Sequence, residues 1–281
     1  EARQAEWARL EDKEVWDPST VREWDDVAAE ARRRRKVDPN HVVHMGRLFG
    51  ICVEKGSELP EGDPRRKYKY RVVFQGNRVV TQNWEAALFQ DLGSSPASME
   101  AGKYVDCYGS LPGFDVEQAD AEQAYVQAEL QGPKTWIALP KEVWPKEWVE
   151  KGYRNPVVEL KKALYGHTQA GFLWEAEARR RLLKMGFSNF TDVGSAWYVH
   201  YNEAGKMDCM LLLYVDDFMI AGQDHVVRNI VTQMKSIWEI KGGDIGPIND
   251  APIVGTHQDD LSWLCPLWFP WMSLNFPQYT R

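Results

Sequence analysis

Two adjacent acids, Asp216 and Asp217, lie between apolar runs, Leu211-Leu-Leu-Tyr214-Val before them and Phe218-Met-Ile220 after them. A third acid, Asp120, closes the earlier segment Phe114-Asp-Val-Glu-Gln-Ala-Asp120. Carboxylates held close together repel one another and are costly to bury unless a cation neutralises them. Two readings follow. The pair could be an acidic β-turn between core strands, since aspartate is common in turns. Alternatively the three acids could hold two divalent cations for phosphoryl transfer. Magnesium suits the second reading, because it is hard, takes oxygen ligands and keeps waters that phosphates can replace. Manganese is the alternative ion.

These acids must be positioned by the elements around them. The apolar runs on either side of Asp216 suit two short strands of a buried hairpin, with the acids at the turn. The segment ending at Asp120 alternates as a strand, and Ala121–Leu130 that follows has helical composition. In an extended Lys67-Tyr-Lys69-Tyr-Arg71-Val72, the three cations share one face and Tyr68, Tyr70 and Val72 the other. Such a basic stripe could grip a triphosphate, or it could be a sheet edge protected by lysine.

Several segments together resemble one family, the reverse transcriptase of Ty1/copia-type LTR retrotransposon Pol polyproteins. They are Lys67-Tyr-Lys69-Tyr-Arg71-Val-Val-Phe-Gln-Gly76, Gln118-Ala-Asp120-Ala-Glu-Gln-Ala-Tyr125, Trp136-Ile-Ala-Leu-Pro140, Leu160-Lys-Lys-Ala-Leu-Tyr165-Gly166 and Tyr214-Val-Asp216-Asp217. They occur in the family's order, and the resemblance runs from about Trp7 to about Gly255. It implies an α+β fold: right-hand polymerase fingers and palm, with an antiparallel palm sheet backed by helices. Residues 1–66 would supply N-terminal helices and the start of the fingers, 67–255 the fingers and palm core, and 256–281 an atypical tail that reads as non-coding read-through or a decayed end, with a structured extension as the other reading.

The implied activity is RNA-directed DNA polymerisation. Asp120, Asp216 and Asp217 would stand around two Mg2+ ions, one activating the primer 3′-hydroxyl and the other neutralising the departing pyrophosphate. Lys69 and Arg71 would hold the triphosphate of an incoming dNTP. Tyr125 would sit under its sugar and exclude a 2′-hydroxyl; an ordinary tyrosine on a helix face is the other reading. Tyr165, Gly166, Gln169 and Tyr214 would meet an RNA or DNA template with its primer. The family continues its tyrosine-glycine pair with leucine-lysine-glutamine-alanine-proline, where this chain has His167-Thr168-Gln169-Ala170-Gly171. That departure supports an alternative, a catalytically inactive retrotransposon remnant that folds and binds nucleic acid. A metal-dependent nuclease or nucleotidyltransferase of another fold could use the same acids. The family's RNase H and integrase regions are not in this sequence, and its first residue is not methionine, as expected of a piece of a polyprotein. The implied setting is cytoplasmic, in virus-like particles, with the nucleus as the alternative.

Composition bounds these readings. A chain of 281 residues with 44% hydrophobic and 27% charged residues can bury a full core. The net charge of −7 opposes polyanion binding. Two local basic clusters, Arg32-Arg-Arg-Arg-Lys36 and Arg65-Arg-Lys-Tyr-Lys-Tyr-Arg71, stand against it. The four cysteines show no C-x-x-C spacing, so neither a zinc site nor a disulfide framework is indicated, in keeping with a reducing compartment. No apolar run is long enough to span a membrane.

Along the chain, 1–36 reads as two helices, the second capped by Asp17 with Pro18 at its first position and ended by the basic run. That run is either a solvated helix end or a phosphate-contacting patch or localisation signal. Residues 41–53 read as one strand or a hairpin, Glu54–Pro64 as a loop, Trp84–Phe89 as a helix and Ala101–Tyr108 as a further element. Ala170–Met185 reads as a helix stopped by Gly186, Ser195–Tyr201 as a strand turning at Asn202–Gly205, and Asp224–Trp238 as an amphipathic helix.

Overall fold

The computed structural model describes residues 1–89, 97–190 and 196–242; the tail from 256 onward lies outside them. In chain order the elements begin with α1 (Ala2–Asp12), β1 (Trp16–Glu23), α2 (Trp24–Arg35), β2 (Val43–Lys55), β3 (Lys67–Phe74), β4 (Val80–Thr81) and α3 (Met99–Gly109). Next come β5 (Phe114–Ala121), β6 (Lys134–Ala138), α4 (Lys146–Glu150), β7 (Pro156–Leu160) and α5 (Ala170–Lys184). The last are β8 (Phe187–Asn189), β9 (Trp197–Tyr201), β10 (Met207–Tyr214), β11 (Asp217–Gln223), α6 (Asp224–Ile237) and β12 (Ile240–Gly242). The chain divides into two compact units, each with its own sheet.

The first unit holds 1–89 and 123–177 of the described residues. Its sheet runs β1-β7-β6-β2-β3, with β4 on β2, and β2 pairs in parallel with β6 while the other pairs are antiparallel. The long strand β2 and its partner β3 form a hairpin, which settles the choice at 41–53 in favour of one strand. An aromatic-rich core of Trp7, Trp16, Phe74, Ile137 and Trp148 lies on this sheet. Trp7 meets Trp16 edge-on with ring centroids 5.8 Å apart. Two helices do occur before residue 36, but the second starts at Trp24, because 16–23 is β1. Asp17 caps no helix: its carboxylate accepts from Ser19 N at 2.9 Å and Ser19 Oγ at 2.6 Å, and β1 takes its bonds from β7. The apolar stripe Trp24, Val27, Ala28 and Ala31 is buried as the periodicity requires. Residues 84–89 form no helix; Trp84 N bonds Thr81 O in a tight turn and Ala86 bridges Val80.

The second unit holds 97–122 and the described residues from 178 onward. Its sheet runs β12-β5-β11-β10-β9-β8, all antiparallel. Strand β10 is a nearly continuous apolar run, with Leu211, Leu212 and Leu213 all fully buried, which requires cover on both faces. Each such side chain contributes roughly 1.5–3 kcal/mol on burial. Helix α3 supplies one cover: Ala101, Val105 and Tyr108 pack with Val116, Met210, Leu212, Met219 and Ala221. Ser98 caps it, accepting from Ala101 N at 3.2 Å. Helix α6 packs on β5, β10 and β11, burying Val227, Ile230, Val231 and Met234, although Ile237 is 39% exposed. Phe218, which alternates with Met219, meets Trp238 at 5.4 Å. The result is the expected α+β arrangement, an antiparallel sheet backed by helices. Among the described residues no helix is long and apolar enough to cross a membrane.

Candidate active site

Strand register brings the three acids together. Strands β10 and β11 pair from Cys209↔Gly222 to Tyr214↔Asp217, leaving Val215 and Asp216 as a two-residue turn. On the other side of β11, strand β5 pairs from Gln223↔Phe114 to Asp217↔Asp120. Asp217 and Asp120 are therefore directly opposed, and Asp216 is the next residue on the turn. A slip of one residue would exchange the two faces of β11, sending Met219 and Ala221 away from α3 and Phe218 away from Trp238, so the two separately packed faces fix this register. Ala121 N donates to Asp216 O at 2.7 Å and ties the end of β5 to the turn.

The geometry fits a cation. One carboxylate oxygen from each of Asp120, Asp216 and Asp217 lies within 4.8 Å of the others. Asp120 and Asp216 are exposed, and Asp217 is half-buried. Burial, then the charges of Asp216 and Asp120, raise the Asp217 carboxyl above its ordinary range. Like charges facing across strands are destabilising, so the site gains from a neutralising ion. The donors are all hard oxygen atoms, the set that magnesium and manganese take. Val215 adopts φ +57°, unusual for a β-branched residue, and so the turn is strained where it presents Asp216. Tyr214, at the last pair of the hairpin, is 38% exposed beside the acids.

The remaining candidates fall in the first unit. Strand β3 ends its sheet in the described residues, and Lys67, Lys69 and Arg71 are all exposed on it. Arg71 lies over the Tyr165 ring, 5.8 Å from its centroid, and Tyr165 lies 5.7 Å from Tyr125. Arg71, Tyr165 and Tyr125 thus form one cluster, with Tyr165 half-exposed. The α-helix expected over Ala121–Leu130 is absent. Gln123 takes a left-handed φ of +50°, a single 3-10 turn spans Ala124–Gln127, and Glu129 bridges Lys162 as extended chain.

Gly166 explains the tyrosine-glycine pair. Its φ is +89°, and a Cβ there would lie 2.3 Å from Phe74 O. A Cβ on Gly76 would come within 2.2 Å of Gly166 O. Phe74 N donates to Tyr165 O at 2.7 Å, so the two glycine motifs meet backbone to backbone. Gln169 precedes α5, and its N–H donates to His167 Nδ1 at 3.2 Å. His167 itself is buried between Phe74 and Phe89, at 4.9 and 5.4 Å.

One feature escaped the sequence pattern. In the β2–β3 register Val53 faces Lys69 and Ile51 faces Arg71, and Phe49, Ile51 and Val53 are 42%, 41% and 47% exposed. An apolar column therefore runs beside the basic one on a single sheet face. That Phe49, Ile51 and Val53 face solvent depends on strand pairing.

An α+β chain whose antiparallel sheet gathers three acids at one end has the architecture of a polymerase palm. The family model described as reverse transcriptase (RNA-dependent DNA polymerase) matches residues 59–260, and the chain belongs to that family. The Retrovirus-related Pol polyprotein from transposon RE1 of Arabidopsis thaliana is 27% identical over 205 residues, 72% of this chain and 13% of that protein. The polyprotein from transposon RE2 of the same plant is 28% identical over 57% of this chain and 10% of its own length. That from transposon TNT 1-94 of Nicotiana tabacum is 22% identical over 64% and 13%. The copia-type reverse transcriptase domain expected from the motifs is thereby borne out, and the chain spans about an eighth of such relatives or less. The match to a solved telomerase from Candida albicans, in complex with a TWJ fragment of telomeric RNA, covers 82% of this chain and 47% of that one at 11% identity, with a TM-score of 0.35.

Proposed function

We propose that this chain catalyses templated DNA synthesis on RNA, as a reverse transcriptase using divalent cations. The observation that carries the reading is the convergence of Asp120, Asp216 and Asp217, with oxygens within 4.8 Å, at the end of a register-locked sheet. Magnesium, when bound, would supply charge neutralisation and a more acidic primer 3′-hydroxyl. The protein's part is placement. The strained turn holds Asp216 outward, β5 delivers Asp120, and a bound cation would offset the burial and like charges that resist ionisation of Asp217. Lys69 and Arg71 bind triphosphate oxygens of a dNTP, and the Tyr165 ring braces Arg71 from behind. Tyr125, packed against the same tyrosine, checks the sugar. Tyr165, Gly166, Gln169 and Tyr214 meet template and primer. In this reading 67–255 is the polymerase core, with 1–66 leading into the fingers, and the chain works in the cytoplasm.

The test is incorporation of a single complementary dNTP onto a DNA primer annealed to RNA, with Mg2+ and with EDTA. The expected result is Mg2+-dependent extension by the complementary nucleotide only, with Tyr125→Val raising ribonucleotide use. Absence of extension with intact duplex binding would make the chain an inactive relative.

A further inference from the structure

The basic run at 32–36 is not used by the reading above. Helix geometry sorts it, since side chains three and four residues apart share a face. Arg34 points back to Glu30, at 2.6 Å, and Glu30 also takes Arg22 at 2.7 Å. Arg32, Arg35 and Lys36 take a different face, and with Asn83 and Glu85 they line an open depression of about 440 Å³. Arg32 is anchored there, donating from Nη1 to Gln82 O at 2.5 Å. Arg35 and Lys36 make no ion pair among the described residues, so three cations face one carboxylate.

We propose that this face is a contact for the phosphate backbone of a nucleic acid. Cations at a helix C-terminus are partly compensated by the helix dipole, and the open carbonyls there disfavour a lone anion seated on the backbone, the reverse of a helix N-terminus. Three converging side-chain cations beside an amide suit successive phosphates of one strand, where release of counterions drives binding. The anchored Arg32 fixes its guanidinium in advance, so less freedom is lost on contact. The proposal rests on the reading that the chain handles nucleic acid. It adds a second grip, distinct from the β3 stripe, in a protein whose net charge of −7 otherwise repels the ligand.

The test is anisotropy of a labelled DNA primer–template duplex against NaCl concentration, with the full chain. For Arg35→Gln with Lys36→Gln, the slope of log K against log salt should become shallower by ~1.8, about 0.9 for each cation removed. The charge-conserving Arg35→Lys with Lys36→Arg should keep the wild-type slope, and Arg33→Gln, off this face, should change it less than either cation on it. Equal melting temperatures exclude misfolding. If the wild type binds and extends primers while the double variant keeps the wild-type slope, this contact is overturned and the polymerase reading stands. If the wild type binds no duplex, both fall.

Discussion

At the scale of single residues, three acids facing one another have consequences with opposite signs for stability and activity. Asp217 has a raised folded pKa, so its ionised form is disfavoured by folding. The stability it contributes is therefore present at acid pH and lost as pH rises through the range between its unfolded and folded values. Asp217→Asn should raise the melting temperature in EDTA at pH 7, and the gain should shrink in Mg2+. Asp216→Asn should lower incorporation by about a thousandfold, since several kcal/mol of metal-borne charge stabilisation would go with it. His167 is the converse case. Burial, and then His44, depress its pKa to about 4. Nδ1 accepts from Gln169 N, so the proton sits on Nε2, which is buried without a hydrogen-bond partner. Protonation therefore destabilises the fold as pH falls from about 6.5 toward 4. His167→Leu, the residue of the resembled family, should flatten that loss in melting curves from pH 7 to 4.5. At neutral pH the relief of the unsatisfied Nε2–H is offset by loss of the bond from Gln169 N, so the melting temperature there should change little.

At the scale of elements, glycine and register set what substitutions are tolerated. Gly166→Ala demands a left-handed alanine and a clash with Phe74 O, so urea unfolding should show a loss of about 3 kcal/mol. The elements around the acids were readable in the sequence because their signals are local and strong. Leu211–Tyr214 and Phe218–Ile220 are apolar runs on either side of a turn, and Asp224–Ile237 keeps a helical stripe through Val227, Ile230, Val231 and Met234. The Gly186 stop takes the expected positive φ of +91°. Strand β1 was hidden because Asp17-Pro18 is also a good helix start; its strand character comes from pairing with β7, far along the chain. The same non-local cause removed the helix after Asp120, where the bridge from Glu129 to Lys162 outweighs local helical preference. The role of the apolar column on β2 was equally hidden, because exposure is a property of the sheet.

At the scale of the whole molecule, the family match begins at residue 59, but the folded unit begins earlier. Helix α1, strand β1 and the link between them supply Trp7, Leu10, Val15 and Trp16 to the first unit's core, and β1 covers the edge of β7. Removing residues 1–36 strips those side chains, at roughly 2 kcal/mol or more for each large one, and bares a sheet edge prone to association. The truncated chain should appear in the insoluble fraction or elute as aggregate, whereas the full chain elutes as a folded species.

Templated synthesis by this chain requires above all that the three acids act as one cation site. Mn2+ binding, followed by the loss of its free-ion electron paramagnetic resonance signal, measures this without any need for turnover. The wild type should take up Mn2+, and Asp120→Asn and Asp216→Asn should each weaken the same uptake by tenfold or more, although one residue lies on β5 and the other on the turn between β10 and β11. Unchanged uptake in Asp120→Asn, alongside loss in Asp216→Asn, would contradict it.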